Sequence, residues 1–494
     1  MHPELEITPQ TALIDVPRRI ALRGLPPGQR VTLQSRTVRG PQVQWTSEAS
    51  FIADAEGCVD LTRDAPVAGS YSGVSAMGLV WSQTKADANA SAEPFAAEPA
   101  AALLTEVRAL LSDDGPVLTA RFVQQLAAEG VTRREVRDEG LSAVLFTPAT
   151  PGPHPVVMVL NGSGGGINEP RAALYASRGY AALAVGYFKC PGRSDYISDT
   201  HLEYFETALH WIHRELQPRD GFVALSGQSR GGELVLLLGS LFPELVKAVI
   251  GYVPGAVVHC AQNACDPATG REGPAWIFRG QPVPHVWSGN RTATWAPWDD
   301  GPEPRRHTAA ILTALQDPEA VERARIRVER IDGPLLLLSA TDDGSWPSSL
   351  YGRMVKEHLA AHGHPYPVEH HDWEGGGHAI LFPYVPTTHL VYAHPVSKRL
   401  STTGALRRST RKPTRNRGRR CRRFWRGLLR RMQPEPTFAQ SAADDHRGPI
   451  ARTFMVRQAH HERIDPPPAV FPFVLSLSKD GWPDLKPSNF SFLL

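Results

Sequence analysis

The sequence predicts an α/β protein: a mostly parallel sheet wrapped by helices, preceded by a small β-sandwich and followed by an aperiodic tail. Three observations carry this. Short, continuously apolar runs alternate with amphipathic stretches from about residue 131, as strands buried on both faces of a parallel sheet require. Period-two runs broken by Gly and Pro fill residues 12–81, the pattern of a sandwich. From about Thr403 onward no period survives. At 494 residues the chain exceeds one average domain. The division expected is a sandwich with its linker over 10–128, the α/β domain over 129–400, and an Arg- and Pro-rich tail over 401–494.

The sandwich strands are read from Arg19–Arg23, Gln29–Ser35, Val43–Trp45 and Cys58–Leu61. Residues 100–128 read as a helix, with Leu103, Leu104, Val107, Leu110 and Leu111 on one face. The strands of the second domain are read from Ala143–Phe146, Val156–Leu160, Ala181–Val185, Phe222–Leu225, Ala248–Ile250, Leu335–Leu338 and Val368–His371. Ligands of such sheets bind at the carboxyl ends of the strands, and the motifs below fall there.

The overall balance excludes several classes. Hydrophobic residues make up 41% and charged residues 21%, ordinary for a soluble globular chain. No run approaches the roughly 18 apolar residues of a membrane span. The acidic N-terminus lacks an apolar signal core, so the cytoplasm is expected. Cys58, Cys190, Cys260, Cys265 and Cys421 are scattered, which fits reduced thiols and neither a disulfide framework nor a zinc site. No metal and no cofactor are expected. Thirteen of the 53 basic residues lie between Ser401 and Met432 with no Asp or Glu among them, so the rest of the chain is net acidic. No nucleic-acid partner is expected, and the sequence does not set the oligomeric state.

The run Ala224–Glu233 contains Gly227-Gln228-Ser229-Arg230-Gly231 between an apolar strand and an amphipathic helix. A strand that turns sharply into a helix needs small residues on both sides of the serine, and the turn thrusts the hydroxyl out over the sheet. This nucleophile elbow points to an α/β-hydrolase. A serine hydroxyl is a weak nucleophile and needs a base and an orienting acid, which in this fold follow in the order Ser, Asp, His. His378, on the loop Gly375-Gly376-Gly377-His378, is the natural base, whereas His370 and His371 lie inside the last strand. The acid belongs on the turn after Leu335–Leu338, where spacing alone does not separate Asp342 from Asp343.

The tetrahedral intermediate needs preorganised N–H donors. The backbone of Arg230 supplies one, and the Gly-rich stretch 161–166, with Gly164 as the candidate, supplies the second. That stretch has no Walker lysine and no G-x-G-x-x-G spacing, which argues against a nucleotide loop. An insertion between Ala248–Ile250 and Leu335 carries Trp276, Phe278, Trp287, Trp295 and Trp298, and is expected to form a lid whose aromatics line an acyl pocket or pack among themselves.

With these residues in hand, the chain resembles the type I acyl-CoA thioesterase and bile acid-CoA:amino acid N-acyltransferase family over roughly residues 10–395. The resemblance rests on Gly24–Thr32, Tyr180–Ala184, His201–Glu206, the elbow continued by Gly232-Glu233-Leu234, and Asp342-Asp343-Gly344-Ser345-Trp346. It implies an immunoglobulin-like N-terminal domain, an acyl-CoA substrate, and a Ser/Cys, Asp, His triad. The acid in the family is the second Asp of the pair, which favours Asp343. The family's acyltransferases use Cys where this chain has Ser229, so thioester hydrolysis is expected. Alternatives are a carboxylesterase or dienelactone-hydrolase-like enzyme, an N-acyltransferase, or a binding protein whose site has been disabled.

The chain departs from the family after residue 400, where a last helix should cover the sheet. Suitable codons for Arg408–Cys421, read one base earlier, give Ala-Glu-His-Ala-Lys-Ala-Asn-Ala-Glu-Ser-Trp-Pro-Lys-Val, a string that looks like that helix. The tail is therefore expected to be disordered, or shifted in frame from between Gly404 and Arg408. The rival is a genuine basic arm.

Overall fold

Residues 2–87, 95, 101–111, 115–388 and 391–404 are described by a computed structural model. The alternating N-terminal runs form two facing sheets. One comprises β1 (Glu4–Thr8), β3 (Arg19–Arg23) and β6 (Val59–Asp60). The other runs β2 (Thr11–Leu13), β10 (Val117–Gln125), β9 (Leu103–Leu110), β4 (Arg30–Arg39), β5 (Val43–Ile52) and β7 (Ala68–Gly69), with β8 (Thr84–Lys85) also paired to β5. Ile7, Ile20 and Leu22 from the first sheet meet Val31, Leu33, Phe51, Val107 and Phe122 from the second in one core. Burial alternates along β4 and β5 because successive side chains point to opposite faces. A short helix, α1 (Gly78–Trp81), closes one side and buries Leu79 and Val80.

The helix expected over residues 100–128 is replaced by the antiparallel pair β9–β10, a correction with a visible cause. Leu103, Val107 and Leu110 fit a helical stripe, but Thr105, Val107 and Ala109 are fully buried while Leu104 is 53% exposed. Period two governs, and the pairing of β9 with β4 selects it.

The second domain is built on one eight-stranded sheet in the order β11 (Thr132–Val136), β12 (Ser142–Thr147), β14 (Ala181–Gly186), β13 (Val156–Leu160), β16 (Val223–Gln228), β17 (Ala248–Tyr252), β20 (Leu335–Ala340) and β21 (Val368–Trp373). From β14 to β21 the strands are parallel, and β12 runs against its neighbours. The predicted apolar runs are these strands, and the central ones are buried on both faces. Met158, Leu183 and Leu225 face the core shared with α3 (Glu203–Trp211), α4 (Arg230–Leu241) and α8 (Ser348–Ala361). Val157, Val159 and Ala224 face the core shared with α2 (Glu169–Ala176).

Between β17 and β20 lie β18 (Trp276–Phe278), β19 (Gln281–Pro282), α5 (Ala296–Asp299), α6 (Thr308–Ala314) and α7 (Pro318–Ala324), with β18 paired to β15 (Thr200–His201). After β21 the chain does not enter a helix within the described residues. It forms β22 (Val391–Ala393) and β23 (Leu400–Thr402), an antiparallel pair. The tail and the proposed frame change lie outside the described residues; residues 401–404, placed at the start of that tail, are held in the fold.

The two domains are packed together. Leu13, Leu103 and Leu126 share a core with Leu174 and Phe382. Arg178 and Asp15 form a buried ion pair at 2.5 Å, and Tyr384 from the loop after His378 enters the sandwich core.

Candidate active site

Ser229 caps α4 where β16 turns into that helix, with φ 58° and ψ −120°. A non-glycine residue there carries about 1–3 kcal/mol of backbone strain, tolerated only where its surroundings hold it. They do: the Ser229 N–H donates to Tyr252 O at 2.8 Å, and Ser229 O accepts from the Glu233 N–H at 3.0 Å. The flanking glycines are steric necessities. A Cβ at Gly227 would meet Gly231 O at 2.1 Å, and one at Gly231 would meet Asn161 O at 2.4 Å.

The structure brings Ser229, His378 and Asp343 together. His378 Nδ1 lies 2.9 Å from both carboxylate oxygens of Asp343, so Nδ1 carries the proton and donates. Nε2 is then the acceptor for the Ser229 hydroxyl, 2.7 Å away. Asp343 also accepts from the N–H groups of Ser345 and Trp346 at 2.9 and 3.2 Å, which orient the carboxylate. Asp343 is 4% exposed and His378 8%. Asp342, its neighbour, points away to Arg306 at 2.7 Å. His370 and His371 lie in β21, as read from the sequence, and His370 bonds Ser339 instead of the serine.

A cavity of about 560 Å³ opens over the serine, lined among others by Gly162, Ser163, Gln228, His378 and Tyr392. Gly164 lines it too, and a Cβ added there would meet Pro395 at 3.5 Å. A Cβ added at Gly162 would lie 3.3 Å from Ser229 Cβ, so this glycine stands close beside the serine. The aromatic residues of the insertion are not among the lining. Trp276, Trp287, Trp295 and Trp298 are buried, with Trp287 stacked on Trp295 at 4.6 Å, so they pack the insertion. The insertion presents Ala261, Gln262, Asn263 and His307 to the cavity.

Sequence reasoning missed two parts of the site. The first is a buried polar network beneath the elbow. Glu233 accepts from Arg230 Nη1 at 3.0 and 3.1 Å, from His259 Nδ1 at 2.7 Å and from Trp276 Nε1 at 3.0 Å. His259 Nε2 in turn accepts from the Tyr351 hydroxyl at 2.8 Å. Burial alone would raise the Glu233 carboxyl; Arg230 and His259 outweigh it, and its pKa lies below the ordinary value. Burial lowers that of His259. The His259 ring stacks on Trp346 at 4.9 Å, and Trp346 stands edge-on to His378 at 5.9 Å, so the network buttresses the base. Glu233→Gln would strand a buried guanidinium and is expected to cost about 3–5 kcal/mol of stability. A denaturant midpoint unchanged by that substitution would refute the assignment.

The second missed part is the segment 391–404. The His378 N–H and the Gly344 N–H both donate to Thr403 O, at 2.7 and 3.0 Å, tying the base loop and the acid loop to one carbonyl. His394 is buried, and its Nδ1 accepts from the N–H groups of Val396 and Ser397, so Nε2–H donates to Ser163 Oγ at 3.1 Å. The signal available in the sequence was weak, a short alternation just before the Arg-rich tail.

His307 and His394 both face the cavity as neutral imidazoles. Burial pushes His307 down to about 3, and burial with Lys189 and Lys398 pushes His394 down to about 4, from an ordinary 6.5. Below pH 6.5 the unfolded chain binds these protons while the folded chain does not, so stability falls as pH falls. The slope is about 1.4 kcal/mol per pH unit for each group until its folded value is reached. Urea midpoints measured from pH 7.5 to 5 are expected to decline on the acid side and to decline less in His394→Gln.

The sheet order, the single reversed strand, and an elbow followed by acid and base turns on later strands define the second domain as an α/β-hydrolase. Residues 15–138 match the family model described as the acyl-CoA thioester hydrolase/BAAT N-terminal region, and residues 200–409 match its C-terminal counterpart. Acyl-coenzyme A thioesterase 1 of Rattus norvegicus is 30% identical over 383 residues, spanning 75% of this chain and 84% of the relative. Acyl-coenzyme A thioesterase 5 of Mus musculus is 32% identical over 384 residues, with the same coverage. The chain belongs to the acyl-CoA thioester hydrolase/BAAT family. Among solved structures, the acylaminoacyl peptidase of Pyrococcus horikoshii aligns at a TM-score of 0.34 with 15% identity, over 68% of this chain and 50% of that one. EstE1, a carboxylesterase from a metagenomic library, aligns at 0.31 with 17% identity, over 50% and 79%. Among the described residues no helix is long and apolar enough to cross a membrane.

Proposed function

We propose that this protein hydrolyses fatty acyl-CoA thioesters to the free acid and CoA, with Ser229 as nucleophile, His378 as base and Asp343 as orienting acid. The observation that carries the reading is the hydrogen-bonded order Ser229 Oγ, His378 Nε2, Asp343 at an elbow, in a chain whose relatives are named acyl-CoA thioesterases. His378 Nε2 takes the Ser229 proton as Oγ attacks the thioester carbonyl. The N–H of Arg230, at the start of α4, and an N–H of the loop spanning Gly162 and Gly164 receive the oxyanion. The intermediate collapses with release of CoA as its thiol, the proton coming from His378. Water, deprotonated by the same imidazole, then frees the fatty acid. A serine at the nucleophile position supports hydrolysis over transfer to an amino acid.

The test is free-thiol release from acyl-CoAs of short to long chain, with Ser229→Ala as control and p-nitrophenyl esters in parallel. Thiol release that depends on Ser229 supports the reading. Turnover confined to oxygen esters would move the protein to the carboxylesterases.

A further inference from the structure

Lys189 and Lys398 are far apart in the chain, yet both donate to one atom, the carbonyl oxygen of Pro395, at 2.9 and 2.8 Å. Two ammonium groups on one oxygen repel each other. Among the described residues neither makes an ion pair with a carboxylate, and both side chains are exposed. Both residues also sit in left-handed backbone, at φ 50° and 59°, a region that lysine does not favour. The turn that carries Lys398 has other closures. It is already closed by the Lys398 N–H donating to His394 O at 2.9 Å and by the Val396 and Ser397 N–H groups donating to His394 Nδ1. A strained, mutually repelling pair of cations held at one point is suited to an anion that bridges them.

The position of the pair says which anion. Pro395 lines the cavity over Ser229, as do Ser163, Gly164 and His394. Lys189 packs against the loop that approaches the serine, with its Cβ 2.7 Å from the Cβ position of Gly165. Neither lysine lines the cavity itself; both reach its edge through the Pro395 carbonyl, and their field reaches the buried His394 imidazole. We propose that Lys189 and Lys398 form a phosphate site that holds the nucleotide end of CoA, leaving the pantetheine arm to carry the thioester down to Ser229. This assignment rests on the thioesterase reading. A lysine pair binds phosphate as two point charges, so the diphosphate and the 3′-phosphate of CoA share the required chemistry.

The experiment is calorimetric titration of free CoA into the full chain and into Lys189→Gln/Lys398→Gln, with hydrolysis of acyl-CoA and of the matching acyl-pantetheine measured beside it. The double variant is expected to bind CoA at least about tenfold more weakly and to show a raised KM for acyl-CoA, with kcat and acyl-pantetheine turnover unchanged. Dephospho-CoA distinguishes the sources: a lost difference between wild type and variant assigns the 3′-phosphate, and a retained one the diphosphate. Equal CoA affinity in the two proteins, or no CoA binding by the wild type, would overturn the site. CoA binding that depends on the lysines without acyl-CoA hydrolysis would overturn the thioesterase reading alone.

Discussion

Ser229→Ala is expected to lower kcat for thiol release from acyl-CoA by about 10⁵- to 10⁶-fold while leaving KM within a few-fold, the pattern seen when a nucleophile is removed from a serine hydrolase. The argument is geometric. Ser229 Oγ is the group presented to the cavity within 2.7 Å of His378 Nε2, and no rearrangement is needed before proton transfer. Alanine keeps the backbone bonds to Tyr252 and Glu233, so the elbow persists and the loss is chemical. Residual turnover above about one per cent of wild type, in protein free of contaminating esterase, would require another nucleophile. Labelling by a fluorophosphonate, present in wild type and absent in the variant, gives an independent readout.

Asp343→Asn is expected to reduce kcat by about 10⁴-fold in a folded protein, because an amide in place of the carboxylate favours the wrong imidazole tautomer and cannot stabilise the imidazolium. Both carboxylate oxygens lie 2.9 Å from His378 Nδ1, and the Ser345 and Trp346 N–H groups fix the orientation. Asp342→Asn is the matched control. Its carboxylate serves Arg306, a partly exposed pair, so kcat is expected to stay within a few-fold of wild type. Steady-state kinetics on the two variants separate the adjacent carboxylates; comparable losses in both would mean that the turn, and not the charge, sets the activity.

Much of this architecture is legible in the chain because its signals are local. A strand buried on both faces must be apolar throughout, so Val156–Leu160 and Leu335–Leu338 announce themselves. An elbow needs glycine where a Cβ would strike backbone at 2.1 or 2.4 Å, so the turn around Ser229 does too. His378 follows from its Gly-rich loop. Asp343 was separable from Asp342 only through family resemblance, since the spacing of adjacent residues carries too little information to say which side chain turns inward.

What tertiary structure alone decided concerns groups distant in sequence. Residues 103–110 satisfy helical and strand periods equally until β4 and β10 supply hydrogen-bond partners on both sides. The tryptophans of the insertion read either as lining an acyl pocket or as packing, and tertiary contacts select packing: Trp287 stacks on Trp295 and Trp276 lies against Tyr187 and Phe205. Gly162 and Gly164 both line the cavity over the serine, and the path of the loop after β13 that puts them there is set by its neighbours. Glu233 looked like one more acid on a helix. It is buried beside Arg230 on its own helix and beside His259 and Trp276 from two further points in the chain, and only folding brings enough donors together to hold a charge away from water. The sequence by itself therefore determined the strands of the parallel sheet and the elbow, both set by short-range sterics and hydrophobic period. The register of the acid, the buttress under the base and the cation pair at the rim depend on long-range contacts, whose energies no local window contains.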